Sequence, residues 1–148
     1  MQSTHNTVSA TTNASVLPLM GRLLIATIFL VSGYGKLMAP SGTIGYIASV
    51  GLPLPQFAYA GALLAELGGG LLLVLGYRTR LVAAALAVFS VVSALLFHNA
   101  LGDQNQLFHF LKNLAMAGGL LQFITYGAGS ISLDSRKAAV TGALSTVR

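Results

Sequence analysis

Apolar residues in this chain gather in four long blocks, each separated from the next by a turn or a proline- and glycine-rich link. The blocks cover about residues 16–37, 56–75, 81–97 and 107–126. Crossing the hydrocarbon of a bilayer takes about 20 mostly apolar residues, so each block predicts a membrane-spanning segment. Helices are the expected form, because a lone strand in lipid leaves its backbone groups unpaired. No ten-residue alternation points to a barrel. Gly76-Tyr77-Arg78-Thr79 forms a tight turn between the second and third blocks, and Gly102-Asp103-Gln104-Asn105-Gln106 a polar one between the third and fourth. In the longer first link, Ile44, Ile47 and Val50 share one helical side, which predicts a short interfacial helix over residues 43–50.

Small residues recur four apart at Ala65 and Gly69, Ala83 and Ala87, Ser90 and Ala94, and Ala115 and Gly119. Such spacing lets helix backbones approach closely in a membrane. The fold expected is therefore all-α, an integral membrane four-helix bundle over residues 16–127. Residues 1–15, rich in Ser, Thr and Asn, are expected to be disordered, and residues 128–148 to form a polar tail.

Composition supports this solvent. Only 7% of the residues are charged and 55% are hydrophobic, against roughly 25% charged in an average soluble domain. Mean hydropathy is +0.78. A soluble enzyme fits poorly. The net charge of +5 invites a nucleic-acid reading, but the basic residues form no interleaved patch, so no nucleic acid is expected as a partner. The chain contains no Cys, which excludes disulfides, thiol catalysis, Cys-ligated zinc and iron–sulfur sites.

Charge also predicts orientation. Four spans place both termini and the 76–79 turn on one side, together with Arg22, Arg78, Arg80, Arg136, Lys137 and Arg148. The opposite side holds Lys36, with Lys112 just inside the fourth span. The positive-inside rule then places both termini in the cytoplasm. Arg78 and Arg80 read as topology determinants that meet anionic lipid.

The ionisable residues within the spans carry the functional signal. An acid near the middle of a span, as Glu66 is, costs on the order of 2.5–3.5 kcal/mol. Glu66 must face the bundle, be protonated or meet a cation. Arg22, Lys36 and Lys112 are the available cations. Arg22 and Lys36 lie roughly 21 Å apart along one helix, so one carboxylate cannot reach both. Lys112 ranks first, because it shares a helical face with His109 and Asn113, towards the half that holds His98 and Asp103. The expected ligand-binding or buried polar cluster is therefore Glu66, Lys112, His109, Asn113, Arg22, Lys36 and His98. Interfacial histidines satisfied by water or headgroups outweigh a metal site at His98 and His109, and no metal is expected. Ser32, Ser90 and Ser93 lie within helices, where hydroxyls bond their own backbone. No catalytic residue can be assigned.

Several segments follow a known pattern. Phe29-Leu30-Val31-Ser32-Gly33-Tyr34-Gly35-Lys36-Leu37 resembles the end of the first helix in the DoxX family. Gly51-Leu52-Pro53 resembles the approach to its second helix. Glu66-Leu67-Gly68-Gly69-Gly70 and Leu75-Gly76-Tyr77-Arg78-Thr79-Arg80 resemble its second helix and inner turn. His109-Phe110-Leu111-Lys112-Asn113-Leu114-Ala115-Met116-Ala117-Gly118-Gly119 is similar to its fourth-helix signature. The resemblance covers residues 16–126 and implies a small, multi-pass protein of the bacterial inner membrane. It also implies a subunit of a quinone- or thiol-linked redox system, unable to catalyse alone, with a redox enzyme as partner. No covalent cofactor is expected. A bound quinone would suit an apolar pocket with Tyr34 and Tyr59 rings and a donor from Lys112 or His109. The alternatives are a small-solute or proton transporter, which with so few spans would act as a homo-oligomer, and a non-catalytic scaffold.

Overall fold

The structure, a computed structural model, describes residues 3–145. Its elements are α1 (Ser3–Met38), α2 (Pro40–Ser49), α3 (Pro55–Leu63), a π-helical segment (Leu64–Gly69), α4 (Gly70–Leu75), α5 (Thr79–Phe97), α6 (Gln104–Tyr126) and α7 (Leu133–Ser145). No strand occurs among the described residues. Four stretches are long and apolar enough to cross a membrane: Val16–Met38, Pro55–Leu75, Thr79–Phe97 and Gln104–Tyr126. They coincide with the blocks read from the sequence to within a few residues.

Three boundaries differ. Helix α1 begins at Ser3, so helical backbone continues through the polar segment expected to be disordered. Extending an existing helix costs far less than nucleating one. Helix α2 starts at Pro40, three residues before the predicted start, because proline in a first turn gives up no hydrogen bond. The tail, to which the pattern assigned no structure, holds α7. Arg148, part of the charge count above, lies outside the described residues.

Leu73, Leu86 and Leu120 are almost completely buried at the centre of the bundle, surrounded by Ala26, Phe29, Ala83, Ala117 and Phe123. Ala83, Ala87, Ser90 and Ala94 are buried as a stripe of small residues along α5. This lets α6 pack against it closely. Leu24, Val31, Leu64, Leu81 and Val88 point outwards, as lipid-facing side chains do in a bilayer, where apolar exposure carries no penalty.

Helix α2 closes one end of the bundle. Its Tyr46 hydroxyl donates to the Phe97 carbonyl at 3.0 Å, and the two rings lie 5.7 Å apart. The ends of α1, α2 and α5 and the start of α6 therefore define one side of the membrane. The 76–79 turn and α7 define the other.

Candidate functional site: a buried ion pair in a π-helical turn

The second span is not one continuous α-helix. Six residues, Leu64–Gly69, are π-helical, and Glu66 lies among them. Such segments recur at functional sites because the added residue locally re-aims side chains. Glycines bring the neighbouring helices against this turn. A Cβ at Gly33 would stand 2.8 Å from the Leu67 side chain and 3.1 Å from the Glu66 Cβ, and one at Gly69 would stand 2.8 Å from Leu86. Either would force its neighbour to move.

Glu66 is 4% exposed. Its Oε1 accepts from the Lys36 ammonium at 2.8 Å and from the Ser32 hydroxyl at 3.1 Å. Lys36 Nζ also donates to Ser32 Oγ at 2.8 Å, which closes a triangle of donors and acceptors. Ser32 and Lys36 are four residues apart on α1 and therefore share a face. The other carboxylate oxygen, Oε2, is buried without a hydrogen-bond partner among the described residues. The Lys36 side chain is 28% exposed, so the cluster has a buried anionic side and an open cationic side. Tyr59 donates its hydroxyl to the Lys36 carbonyl at 3.2 Å, tying α3 to the end of α1.

This geometry corrects the ranking of cations. Lys36, not Lys112, pairs with Glu66. Ranking the cations by the helical face they share undervalued Lys36, whose four-carbon stem reaches back into the bundle along Ser32. Lys112 is exposed, and its ammonium lies 3.1 Å from His109 Nδ1. It belongs to a second cluster, in which the His109 ring stacks on His98 at 4.9 Å and His98 Nδ1 lies 2.9 Å from Gln106 Oε1. Asn113, although buried, spends its amide N–H on the His109 carbonyl one turn back. Asp103 Oδ1 accepts from the Gln106 N–H at 2.9 Å and so caps the start of α6. No hydrogen bond or ion pair joins this cluster to Glu66 among the described residues.

Arg22 belongs to neither. It is fully buried, and its Nη1 donates to the carbonyls of Leu73 at 3.1 Å and Val74 at 3.0 Å. Its Nη2 donates to the Ile131 carbonyl. The guanidinium fork thus satisfies the C-terminal end of α4, whose last carbonyls lack helical partners, and fastens the chain after α6 to it.

A family model described as DoxX matches residues 17–99, which takes in Arg22, Ser32, Lys36, Glu66 and the 76–79 turn. The chain belongs to the DoxX family. It is 35% identical to inner membrane protein YphA of Escherichia coli (strain K12) over 126 residues, 82% of this chain and 90% of that protein. It is 34% identical to inner membrane protein YqjF of the same organism over 116 residues, 78% of this chain and 88% of that protein. No solved structure matches it. With four candidate spans and these relatives, this DoxX-family chain is a multi-pass inner-membrane protein.

Sequence reasoning missed the part of this DoxX-family chain that follows the last span. Asp134 accepts from the N–H groups of Arg78 at 2.7 Å and Thr79 at 2.8 Å. It caps α5 from a helix that lies after α6, and favours the positive end of the α5 dipole. Its own N–H donates to the Gly76 carbonyl at 2.9 Å. Burial pushes the Asp134 carboxyl up, but hydrogen bonds from Thr79 and Arg78 and the charge of Lys137 outweigh it, and the group sits below the ordinary carboxylate range. Across the same turn, a hydrogen bond from Lys137, its charge and that of Arg78 hold the Tyr77 phenol below its ordinary value. The Lys137 ammonium lies 4.3 Å from the centroid of that ring. The lone acid of the tail and the turn residues of 76–79 were the available signal, but only the fold shows that they meet.

Proposed function

We propose that this chain is the membrane subunit of a quinone- or thiol-linked redox system, oriented with both termini in the cytoplasm, and that the Glu66–Lys36–Ser32 cluster is its ligand-binding site. The observation that carries the reading is the pairing of an unpartnered, buried Glu66 Oε2 with a Lys36 ammonium partly open to the surroundings. An intramembrane acid of this kind is a functional candidate by default. The donor set suits a quinone: Lys36 offers N–H to a carbonyl oxygen, and Glu66 Oε2 holds or releases a proton beside it. A bound quinone would supply the two-electron, two-proton chemistry that no side chain here provides. Ser32 keeps the two charged groups in register. Electrons would come from a partner oxidoreductase. The chain has no Cys, so any thiol chemistry also belongs to that partner.

Native mass spectrometry of the protein, gently extracted from its own membrane, tests this. A retained quinone mass, lost in Glu66→Gln, or a stoichiometric redox enzyme supports it. A bare homo-oligomer, with neither, refutes it. The π-helical interruption at Glu66 favours a second reading, proton or small-solute transport by a homo-oligomer. Gradient-driven uptake in liposomes, abolished in Glu66→Gln, would select that one.

A further inference from the structure

A cleft of about 360 Å³ opens on the side of α7, away from Glu66, between the start of α5 and the residues that follow α6. Arg78, Thr79, Arg80, Leu81, Ala128 and Asp134 line it. Arg78 and Arg80 are exposed, and neither guanidinium meets a carboxylate in a salt bridge among the described residues. The Asp134 carboxylate is already committed to the N–H groups that start α5. Thr79 is fully buried beneath the cleft, and its side chain belongs to the Asp134 cap. The cleft therefore combines two cations with an apolar wall formed by Leu81 and Ala128.

Depth restricts what such a cleft meets. It lies where one span begins at Thr79 and another ends at Tyr126, the level at which a bilayer carries its headgroups. Arginine forks match phosphate oxygens in pairs, and basic pockets between helix ends take anionic headgroups. We propose that this cleft is a phosphate-binding site, and that the phosphate it binds is carried by an anionic phospholipid. A zwitterionic lipid brings an ammonium into the same basic surroundings and binds less well. Free phosphate shares the recognised chemistry but lacks the acyl chains that would follow Leu81 and Ala128 into the bilayer.

The test titrates the full chain in detergent with phosphatidylglycerol, phosphatidylcholine or inorganic phosphate and follows binding by native mass spectrometry. Phosphatidylglycerol is expected to bind in preference to phosphatidylcholine. Arg80→Gln should weaken it about fivefold, and Arg78→Gln with Arg80→Gln should multiply the two effects. Arg136→Gln, an equal charge change outside the cleft, should leave it unaltered. Millimolar inorganic phosphate that binds alone and displaces the lipid supports the phosphate site but makes its carrier a soluble one. Equal binding of both lipids, or an equal loss in Arg136→Gln, overturns the proposal.

Discussion

Replacing Lys36 with methionine keeps the length of the side chain and removes the cation from Glu66. The carboxylate is then left 4% exposed, with Ser32 as its remaining donor. Removing one partner of a fully buried pair costs about 3–5 kcal/mol. Lys36 is 28% exposed, so its own desolvation is incomplete, and a loss of about 2–3 kcal/mol is expected. Glu66→Gln should cost less, about 1 kcal/mol, because the freed ammonium can extend towards the membrane surface. The double variant should lose about as little, since neither an uncompensated charge nor its partner remains. The cycle therefore gives a coupling of about 2 kcal/mol, measurable as reversible unfolding in mixed micelles. A coupling below about 0.5 kcal/mol, within ordinary additivity, would refute the ion pair as a stabilising contact. Pairing Glu66→Gln with Lys112→Met serves as the contrast and should give none.

Three further outcomes concern the opposite side of the bundle. Arg22→Met leaves the carbonyls of Val74 and Ile131 without their donor and that of Leu73 with the Gly76 N–H alone, and should cost about 3 kcal/mol or more, with the segment after α6 becoming sensitive to protease. Gly76→Ala forces a Cβ onto a residue at φ +65° and to within 2.6 Å of Ser132; it should cost at least about 2 kcal/mol, whereas Gly42→Ala, with open space around it, should lose nothing measurable on unfolding. The Asp134 cap depends on pH with a defined sign. Its folded value is depressed, so its stabilisation is complete above the ordinary carboxylate value of about 3.9 and is lost as pH falls through the lower, folded value. Amide exchange at the start of α5 should therefore accelerate only in that acid range, and at every pH in Asp134→Asn.

The spans were legible because periodicity and length are carried by many residues at once, and no single substitution hides a run of apolar side chains. Glu66 was legible for the opposite reason, as an isolated acid in such a run. Its partner was not. Lys36 and Lys112 are both near helix ends, and choosing between them requires knowing that Gly33 lets α1 come close to the π-helical turn and that Ser32 bridges the two charges. The π-helical segment has no local signature in Leu64–Gly69 that separates it from α-helix. His109, Lys112, Asn113 and His98 do gather, as their spacing suggested, but as a cluster of their own. Tyr59 spends its hydroxyl on α1, and Tyr34 faces outwards. The contacts of Arg22 and Asp134 with residues far along the chain were beyond any pattern of spacing.

The start of α5 depends on a side chain 55 positions later in the chain, and Arg22 on a carbonyl 109 positions later. A ribosome delivers these partners last. While the third span enters the bilayer, its first N–H groups have no Asp134, and the Arg22 fork has no Ile131 to hold. Both are supplied only once the fourth span has crossed and the following segment has emerged. Both late contacts therefore close beside a single spot, the 76–79 turn, and in a chain that stops short of Ile131 neither can form.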